Sequence, residues 1–203
     1  MNKNSKIIIA VLVALLLLAI RYIYVLKNIT TSSMDTSSFA IKELKCYDSL
    51  QYFAIQESLS GAVGANILIK YKVSPSSTFS CVYDIGSEDF EIKNTKSEYF
   101  LSFADNFLLL DSGTGPSNRQ LIAYDLRSKK LVLMDSYQGP VTVTGDNITY
   151  LTKTDQKPSL QNCPDLSSYT ANGLSALIMA KVSVDLATGT KKEWGKNQCV
   201  ASQ

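Results

Sequence analysis

The clearest hydrophobic pattern of the chain lies in residues 105–136 and predicts three consecutive β-strands. An apolar run at residues 107–110 comes first, and a turn-rich segment at 111–119 ends it. Residues 121–126 and 130–134 follow, separated by a short polar turn. Short apolar or alternating runs between turn signals are typical of strands joined as antiparallel hairpins. This stretch therefore predicts the middle of a β-sheet.

The same kind of pattern continues on both sides of this stretch. Further strands are predicted at residues 51–57, 66–73, 79–85, 90–93, 98–103, 141–143, 148–152 and 191–194. Residues 174–186 alternate in their second half, while their first half fits a helix or a strand. Residues 153–173 are long and polar and predict a surface excursion.

These strands predict an all-β domain over residues 39–203, an antiparallel meander folded into two packed sheets or a partly open barrel. Three hairpins share one pattern, in which an apolar strand ends in Asp84, Asp125 or Asp185 before a short turn. The aspartate can accept backbone N–H bonds across such a turn. Hairpins of this kind look like those of β-propeller blades. A small propeller-like repeat is therefore the alternative, although the spacings of about 40 and about 60 residues are uneven.

The N-terminus has a different pattern, an unbroken apolar run at residues 7–20 preceded by Lys3 and Lys6. This combination is typical of an export signal. Bulky residues at 21–26 disfavour cleavage, which needs small side chains, and the apolar stretch 7–26 reaches the ~20 residues that span a bilayer. We expect residues 1–27 to be an uncleaved signal anchor, one N-terminal transmembrane helix, with a cleaved signal as the alternative. The polar residues 28–38 predict a flexible spacer.

All four cysteines lie beyond the apolar run, at Cys46, Cys81, Cys163 and Cys199. An even number of cysteines in an exported domain favours disulfides and a location in the periplasm or the extracellular space. Three connectivities are possible. The pairs Cys46–Cys81 and Cys163–Cys199 close the shortest loops and are the predicted ones. No two cysteines have the spacing of a zinc site, so we expect no metal.

Composition and charge exclude several functions. The first 27 residues carry four of the 20 basic residues and no acidic one, so the rest has 16 basic and 18 acidic residues. Such a domain lacks the concentrated basic surface of a nucleic-acid-binding protein. The sequence has no histidine, which removes serine and cysteine triads and most general-base chemistry near neutral pH. No nucleotide-binding or calcium-loop motif occurs, so we expect no cofactor and no catalytic residue.

The segment 111–119 is the candidate binding loop, because it is longer than a tight hairpin requires. Long loops on a rigid β scaffold often carry binding residues. The candidate contacts within it are Asp111, Thr114, Asn118 and Arg119.

Acidic residues could carry two-carboxylate glycoside hydrolysis if two of them faced each other. Glu88, Asp89 and Glu91 cluster in one hairpin, and Asp105 and Asp111 flank another. Acids at strand ends and in turns are more often exposed to water, and we expect that arrangement here.

The sequence thus predicts a membrane-anchored extracytoplasmic β domain, a non-catalytic binding or interaction module whose ligand the residues do not name. The alternatives are an inhibitor of an extracellular hydrolase and a secreted hydrolase that uses carboxylates. The expected partners are the membrane, through the N-terminal helix, and a protein or small ligand.

Overall fold

A computed structural model of the chain describes residues 42–115 and 119–202. The predicted anchor at 1–27 and the spacer at 28–38 lie outside the described residues. Among those that are described, no helix is long and apolar enough to cross a bilayer.

The described part of the chain is mostly β, as predicted. Its elements in chain order are β1 (Lys42–Asp48), β2 (Tyr52–Leu59), β3 (Asn66–Tyr71), β4 (Phe90–Ile92), β5 (Glu98–Ala104), β6 (Phe107–Ser112), β7 (Arg119–Asp125), β8 (Lys130–Thr144), β9 (Asn147–Lys153), α1 (Leu166–Ala171), β10 (Ser175–Asp185), β11 (Thr190–Glu193) and β12 (Gln198–Ser202). The short helix α1 lies in the predicted surface excursion, and the ambiguous segment at 174–186 forms a strand.

The strands form two antiparallel sheets that do not close into a barrel. Strands β1 to β4 make a four-stranded meander. The second sheet has the order β11-β10-β9-β8-β7-β6-β5, and β12 also pairs with β10. The prediction of two sheets is confirmed.

Strand β8 joins two parts of the larger sheet. Its first half pairs with β7 and its second half with β9, with an irregular register between Gln138 and Thr142. Gly139 lies there with a φ of 78°, and Pro140 follows it. A left-handed glycine and a proline disturb ladder pairing, as at a β-bulge. The predicted strands 130–134 and 141–143 are therefore one irregular strand. We call β5–β8 the central meander and β8–β11 the C-terminal meander.

The core lies on both faces of the central meander. Phe107, Leu108, Leu109 and Leu110 of β6 are all 2% exposed or less. Leu108 and Leu110 belong to a cluster with the four-stranded sheet, whereas Phe107 and Leu109 belong to one with the C-terminal meander. Successive side chains of a strand point to opposite faces, so an unbroken apolar run is what a doubly covered strand requires.

The predicted strand at residues 79–85 is wrong, because this segment has no strand pairing. The segment instead covers the outer face of the four-stranded sheet, where Phe53, Ile55 and Leu68 are buried. Tyr83 packs on these three side chains, and the ring of Phe79 lies 5.7 Å from that of Phe53. Of the alternating apolar residues only Tyr83 is half-buried, whereas Phe79 and Ile85 are 36% and 59% exposed, so the alternation predicted neither the strand nor a buried face of this segment.

Side-chain bonds hold this covering segment in place. Lys70 is 8% exposed, and its Nζ donates to the carbonyl oxygen of Asp84 at 2.7 Å and to Asp89 Oδ2 at 2.8 Å. Cys46 of β1 is bonded to Cys81 within the segment, with Cα atoms 5.9 Å apart. A buried ammonium is tolerated because two carboxylates and a carbonyl compensate its charge.

Both predicted disulfides are confirmed. The second one joins Cys163 to Cys199, with Cα atoms 5.1 Å apart, and so ties strand β12 to the segment before α1. Strand β1 carries Cys46 and strand β12 carries Cys199, and neither strand was predicted from the sequence. Two disulfides are typical of proteins in oxidising, extracytoplasmic compartments.

The Asp-ended hairpins repeat in two of the three predicted places. Asp125 Oδ1 accepts the Arg127 N–H at 3.0 Å, and Asp185 Oδ1 accepts those of Ala187 and Thr188 at 3.0 Å each. The residue after each aspartate is a buried leucine. Leu126 donates its N–H to the Asn106 carbonyl oxygen before β6, and Leu186 donates its N–H to the Asp146 carbonyl oxygen before β9. Asp84 differs, because its carboxylate pairs with Lys70 instead.

Replacing Cys46 and Cys81 together by alanine will lower the free energy of unfolding by roughly 3–4 kcal/mol, because the closed loop restricts the unfolded chain. Guanidinium unfolding measures this loss. The matched control is the double alanine variant at Cys163 and Cys199, since the two loops have sequence separations of 35 and 36. We expect new proteolytic cleavage within residues 72–89 in the first variant alone. Equal protease resistance of that segment in both variants would show that the disulfide does not hold the cover.

Candidate functional site

The predicted binding loop is closed at its base by an ion pair. Arg119 Nε donates to Asp111 Oδ1 at 2.6 Å, and Nη2 donates to Oδ2 of the same carboxylate. The remaining guanidinium nitrogen, Nη1, donates to the Gly115 carbonyl oxygen at 3.1 Å. Asp111 is near the end of β6 and Arg119 begins β7, so this two-pronged contact fixes both ends of the loop.

A tyrosine completes this contact. Tyr137 Oη donates to Asp111 Oδ1 at 2.7 Å, and burial together with this carboxylate raises the pKa of Tyr137 to about 12. The bond to Asp111 also raises the pKa of Arg119. The guanidinium proposed for ligand binding is therefore engaged within the fold. Of the other predicted contacts, Thr114 is exposed and Asn118 lies outside the described residues.

A second polar cluster, which the sequence did not predict, surrounds Asp135 in β8. Its carboxylate accepts Tyr150 Oη at 2.7 Å, Thr152 Oγ1 at 3.2 Å and Lys191 Nζ at 2.6 Å. Burial, with the neighbouring Asp135, raises the pKa of Tyr150. The available signal was an aspartate that directly follows the apolar run 131–134 and is followed two residues later by Tyr137, because these residues belong to one strand.

The two clusters share one face of the central meander. Leu121 lies directly between Asp111 on β6 and Asp135 on β8 in the strand register. Side chains at directly paired positions point to the same face of a sheet. Each carboxylate has a cation and a tyrosine hydroxyl among its partners. The partners of Asp111 lie within the central meander, whereas those of Asp135 lie on β9 and β11 and so join the two halves of the larger sheet.

The expectation of solvated turn acids holds for Glu88 and Asp105, which are exposed, and is wrong for Asp89 and Asp111, which form ion pairs. Several other acidic residues are also engaged within the fold. Asp89 binds Lys70, Glu57 is 6% exposed and binds Lys42, and Glu98 is 4% exposed and accepts the N–H groups of residues 95 and 96. These carboxylates are partly buried because cations or backbone donors compensate them. Within the described ranges, no group of three acidic or cysteine side chains could hold a metal ion.

A groove lies between the edge strands of the two sheets. It has a volume of about 400 Å³ and is lined by Tyr47, Asp48, Ser49, Phe100, Leu101, Ser102 and Phe103. The rings of Tyr47 and Phe100 stack with centroids 3.9 Å apart, and Phe103 lies 5.1 Å from Phe100. A neighbouring cavity of about 240 Å³ extends past Leu50 to Asp105. We call these two cavities the aromatic groove.

Two edge strands form the walls of the aromatic groove. Strand β1 pairs with β2 on one side, and β5 pairs with β6 on one side, so each has an outer edge without a neighbouring strand among the described residues. The register of β5 shifts between Phe100 and Ser102, which indicates a bulge. Leu50, at the turn between β1 and β2, is 75% exposed. Exposed strand edges and aromatic rings are both suited to contact with another chain.

In comparisons with protein-family models, with curated proteins and with solved structures, nothing matches this chain. The proposals below therefore rest on geometry and chemistry.

Replacing Asp111 by asparagine will lower the free energy of unfolding by about 1–3 kcal/mol, because Arg119 loses a charged acceptor. Urea unfolding measures the change. Thr114→Ala is the control in the same loop and should leave stability within about 0.5 kcal/mol of the wild type, since Thr114 is exposed. An Asp111→Asn variant as stable as the wild type would contradict a structural role for the ion pair.

The free energy of unfolding will fall as the pH rises from about 10 to about 12. Tyr71 and Tyr137 both have folded pKa values of about 12, above the ordinary 10.0. The folded state therefore holds these protons more tightly, and this contribution is complete below pH 10 and lost as the pH approaches 12. Chemical unfolding followed across this range, with tyrosinate absorbance as the parallel readout, tests it. Stability that stays constant up to about pH 12 would contradict these pKa values.

Proposed function

We propose that this chain is a membrane-anchored, extracytoplasmic binding module without catalytic activity, and that the aromatic groove is its binding site. The observation that carries this proposal is the groove itself, open to solvent and lined by three aromatic rings on two edge strands. The apolar stretch at residues 7–26 and the two disulfides support a domain held at the outer side of a membrane.

The geometry of the aromatic groove favours an extended segment of another extracytoplasmic protein as the ligand. A peptide in extended conformation can add to an exposed strand edge through backbone hydrogen bonds, while its alternate side chains enter pockets. The outer edge of β1 and the part of β5 beyond Phe100 supply the backbone groups, since the Phe100 N–H itself already donates to Gln56 Oε1 at 2.9 Å. The rings of Tyr47, Phe100 and Phe103 supply the apolar wall.

Charge in the groove favours a basic residue in that segment. The charged side chains that line it are Asp48 and Asp105, and both are acidic. Asp48 is paired with Lys72 at 2.5 Å. Asp105 is exposed and has no ion pair with another described residue. An arginine or lysine of the ligand could therefore form an ion pair with the Asp105 carboxylate, which lines the cavity together with Phe103.

The proposal that the domain has no catalytic activity rests on its reactive side chains, which are either absent or bonded to other groups of the fold. The sequence has no histidine, and the cysteines form disulfides. A carboxylic acid that works in catalysis needs a raised pKa, from burial among apolar groups or a like charge. Asp111 and Asp135 instead form ion pairs with Arg119 and Lys191.

A second candidate is an inhibitor of an extracellular hydrolase that presents loop 111–119. The ion pair between Asp111 and Arg119 favours it, because a loop fixed at its base loses less conformational freedom on binding. Deleting residues 113–117 would abolish inhibition if this loop contacts the enzyme, and would leave peptide binding in the aromatic groove unchanged.

The anchor proposal predicts that the mature protein keeps residues 7–26. Intact-mass and N-terminal peptide mass spectrometry of membrane-extracted protein would find the chain starting before residue 7. The physical reason is that the residues directly after the apolar run 7–20, at 21–26, are bulky, whereas a signal peptidase requires small side chains at its cleavage site. A mature N-terminus between residues 20 and 45 would show a cleaved signal instead.

The groove proposal predicts that a synthetic peptide of alternating apolar and polar residues with one central arginine will bind the full-length protein. Fluorescence anisotropy of the labelled peptide measures the affinity. Leu50→Lys should weaken binding by about tenfold or more, because it places a cation beside the arginine and removes apolar contact.

Leu160→Lys is the matched control for this experiment. Leu160 is 66% exposed and lies in the polar segment before α1, so the substitution makes the same charge change away from the groove. A peptide with glutamate in place of arginine should bind less tightly. Equal losses in the two leucine variants, or no binding of either peptide, would remove the groove as the site.

A further inference from the structure

The outer face of the C-terminal meander is a second open surface, distinct from the aromatic groove. Successive residues of each strand point alternately to the core and to this outer face. Ile148, Tyr150 and Val182 point to the core and are buried, whereas the residues next to them along the strands point outward. The outward set comprises Thr142, Thr144, Asn147, Thr149, Leu151, Lys181, Ser183, Asp185, Thr190 and Lys192. Most of these side chains are polar and none is aromatic.

Two shallow cavities lie side by side on this face. The first, of about 230 Å³, is lined by Pro140, Thr142, Thr149, Tyr150, Leu151, Lys181 and Gln198. The second, of about 310 Å³, is lined by Asn147, Ser183, Asp185, Thr188, Thr190 and Lys192. Thr149 of the first cavity is directly paired with Ser183 of the second, so the two cavities are adjacent along β9 and β10.

The polar groups in these cavities have free hydrogen-bonding capacity. The hydroxyl groups of Thr142, Thr149 and Ser183 and the side-chain amide of Gln198 bond to no other side chain or backbone group of residues 42–115 and 119–202. A row of unengaged hydroxyl and amide groups suits a ligand that is itself rich in hydroxyl groups.

The charge on this face is positive. Lys181 and Lys192 have no carboxylate partner in the described part of the chain. Asp185 is the one acid that lines the cavities, and its carboxylate already accepts two backbone N–H groups of its own turn. Two unpaired ammonium groups favour a ligand that carries negative charge.

Trp194 adds an aromatic surface next to Lys181, which lines the first cavity. Its N–H continues the pairing of β11 by donating to the Lys181 carbonyl oxygen at 3.0 Å. The Lys181 Nζ lies 4.0 Å from the centre of the indole ring, so the ammonium occupies one side of the ring. Trp194 is 50% exposed, which leaves indole surface available to a ligand. An exposed indole beside a cation and hydroxyl groups can stack on the apolar side of a sugar ring.

We propose that the outer face of the C-terminal meander binds an acidic saccharide chain. In this complex the indole of Trp194 stacks on one sugar ring and the Lys181 ammonium binds a carboxylate or sulfate group. Thr142, Thr149 and Gln198 bond to the sugar hydroxyls. The elongated pair of cavities accommodates consecutive sugar units, with Lys192 beside the second acidic group. Two lysines are too few for nucleic acid, which needs a concentrated basic surface.

Trp194 also provides the measurement, because it is the single tryptophan of the sequence. Full-length protein in a non-ionic detergent is titrated with oligogalacturonate, with a sulfated galactan oligosaccharide and with a neutral galactan oligosaccharide of equal length. We expect a saturable change of tryptophan emission with at least one acidic oligosaccharide, and a lower affinity at high salt. The two acidic probes distinguish a carboxylate from a sulfate ligand.

Lys181→Met keeps the aliphatic stem of the side chain and removes its charge. It should weaken binding of the acidic oligosaccharide by about tenfold, as expected for one charge-assisted hydrogen bond. Lys93→Met is the control with the same charge change beyond β4 of the other sheet, and it should bind like the wild type. Trp194→Ala, measured by calorimetry, should also lose affinity.

Three results would overturn the proposal. The first is no saturable change of emission with either acidic oligosaccharide. The second is equal affinity for the neutral oligosaccharide or for an oligothymidylate of matched charge. The third is wild-type affinity in Lys181→Met while circular dichroism shows an unchanged fold. Peptide binding in the aromatic groove is independent of all three, so failure here does not test the groove.

Discussion

The constraint on which this structure depends is the burial of β6 on both of its faces. Phe107, Leu108, Leu109 and Leu110 form one unbroken apolar run, and a strand can bury such a run only if each face of its sheet is covered. The four-stranded sheet covers one face and the C-terminal meander covers the other. Strand β8 makes the second cover possible, because its irregular register at Gly139 lets one strand serve two meanders.

Because both faces of the central meander are covered, its polar residues are partly buried as well. Asp111 and Asp135 share the face that packs on the C-terminal meander, so their carboxylates lie where water is partly excluded. Each is stabilised there by a cation and a tyrosine hydroxyl rather than by solvent. This burial explains why Arg119, which the sequence suggests as a ligand contact, has a structural role.

The sequence predicts local features of this chain better than it predicts contacts between distant segments. The apolar run of β6, the two-sheet class and the cysteine pairs follow from periodicity, turn residues and loop lengths. Strand β1 was missed because an exposed edge strand with several charged residues lacks a clear alternation. The aromatic groove could not be predicted, because Tyr47 and Phe100 meet only through the packing of two sheets, and no local pattern records that contact.

The two outermost sheet faces show how composition decides which surfaces stay open. On the four-stranded sheet, the outward side chains include Phe53, Ile55 and Leu68, which water would solvate poorly, so a disulfide-bonded segment must cover them. On the C-terminal meander, the outward side chains include Thr149, Lys181 and Ser183, which need no cover. A covering segment there would bury hydroxyl and ammonium groups and would have to supply a partner for each of them. The polar face is therefore stable in contact with water. Its hydroxyl and ammonium groups can exchange their hydrogen bonds with water for hydrogen bonds with a ligand that has matching polar groups.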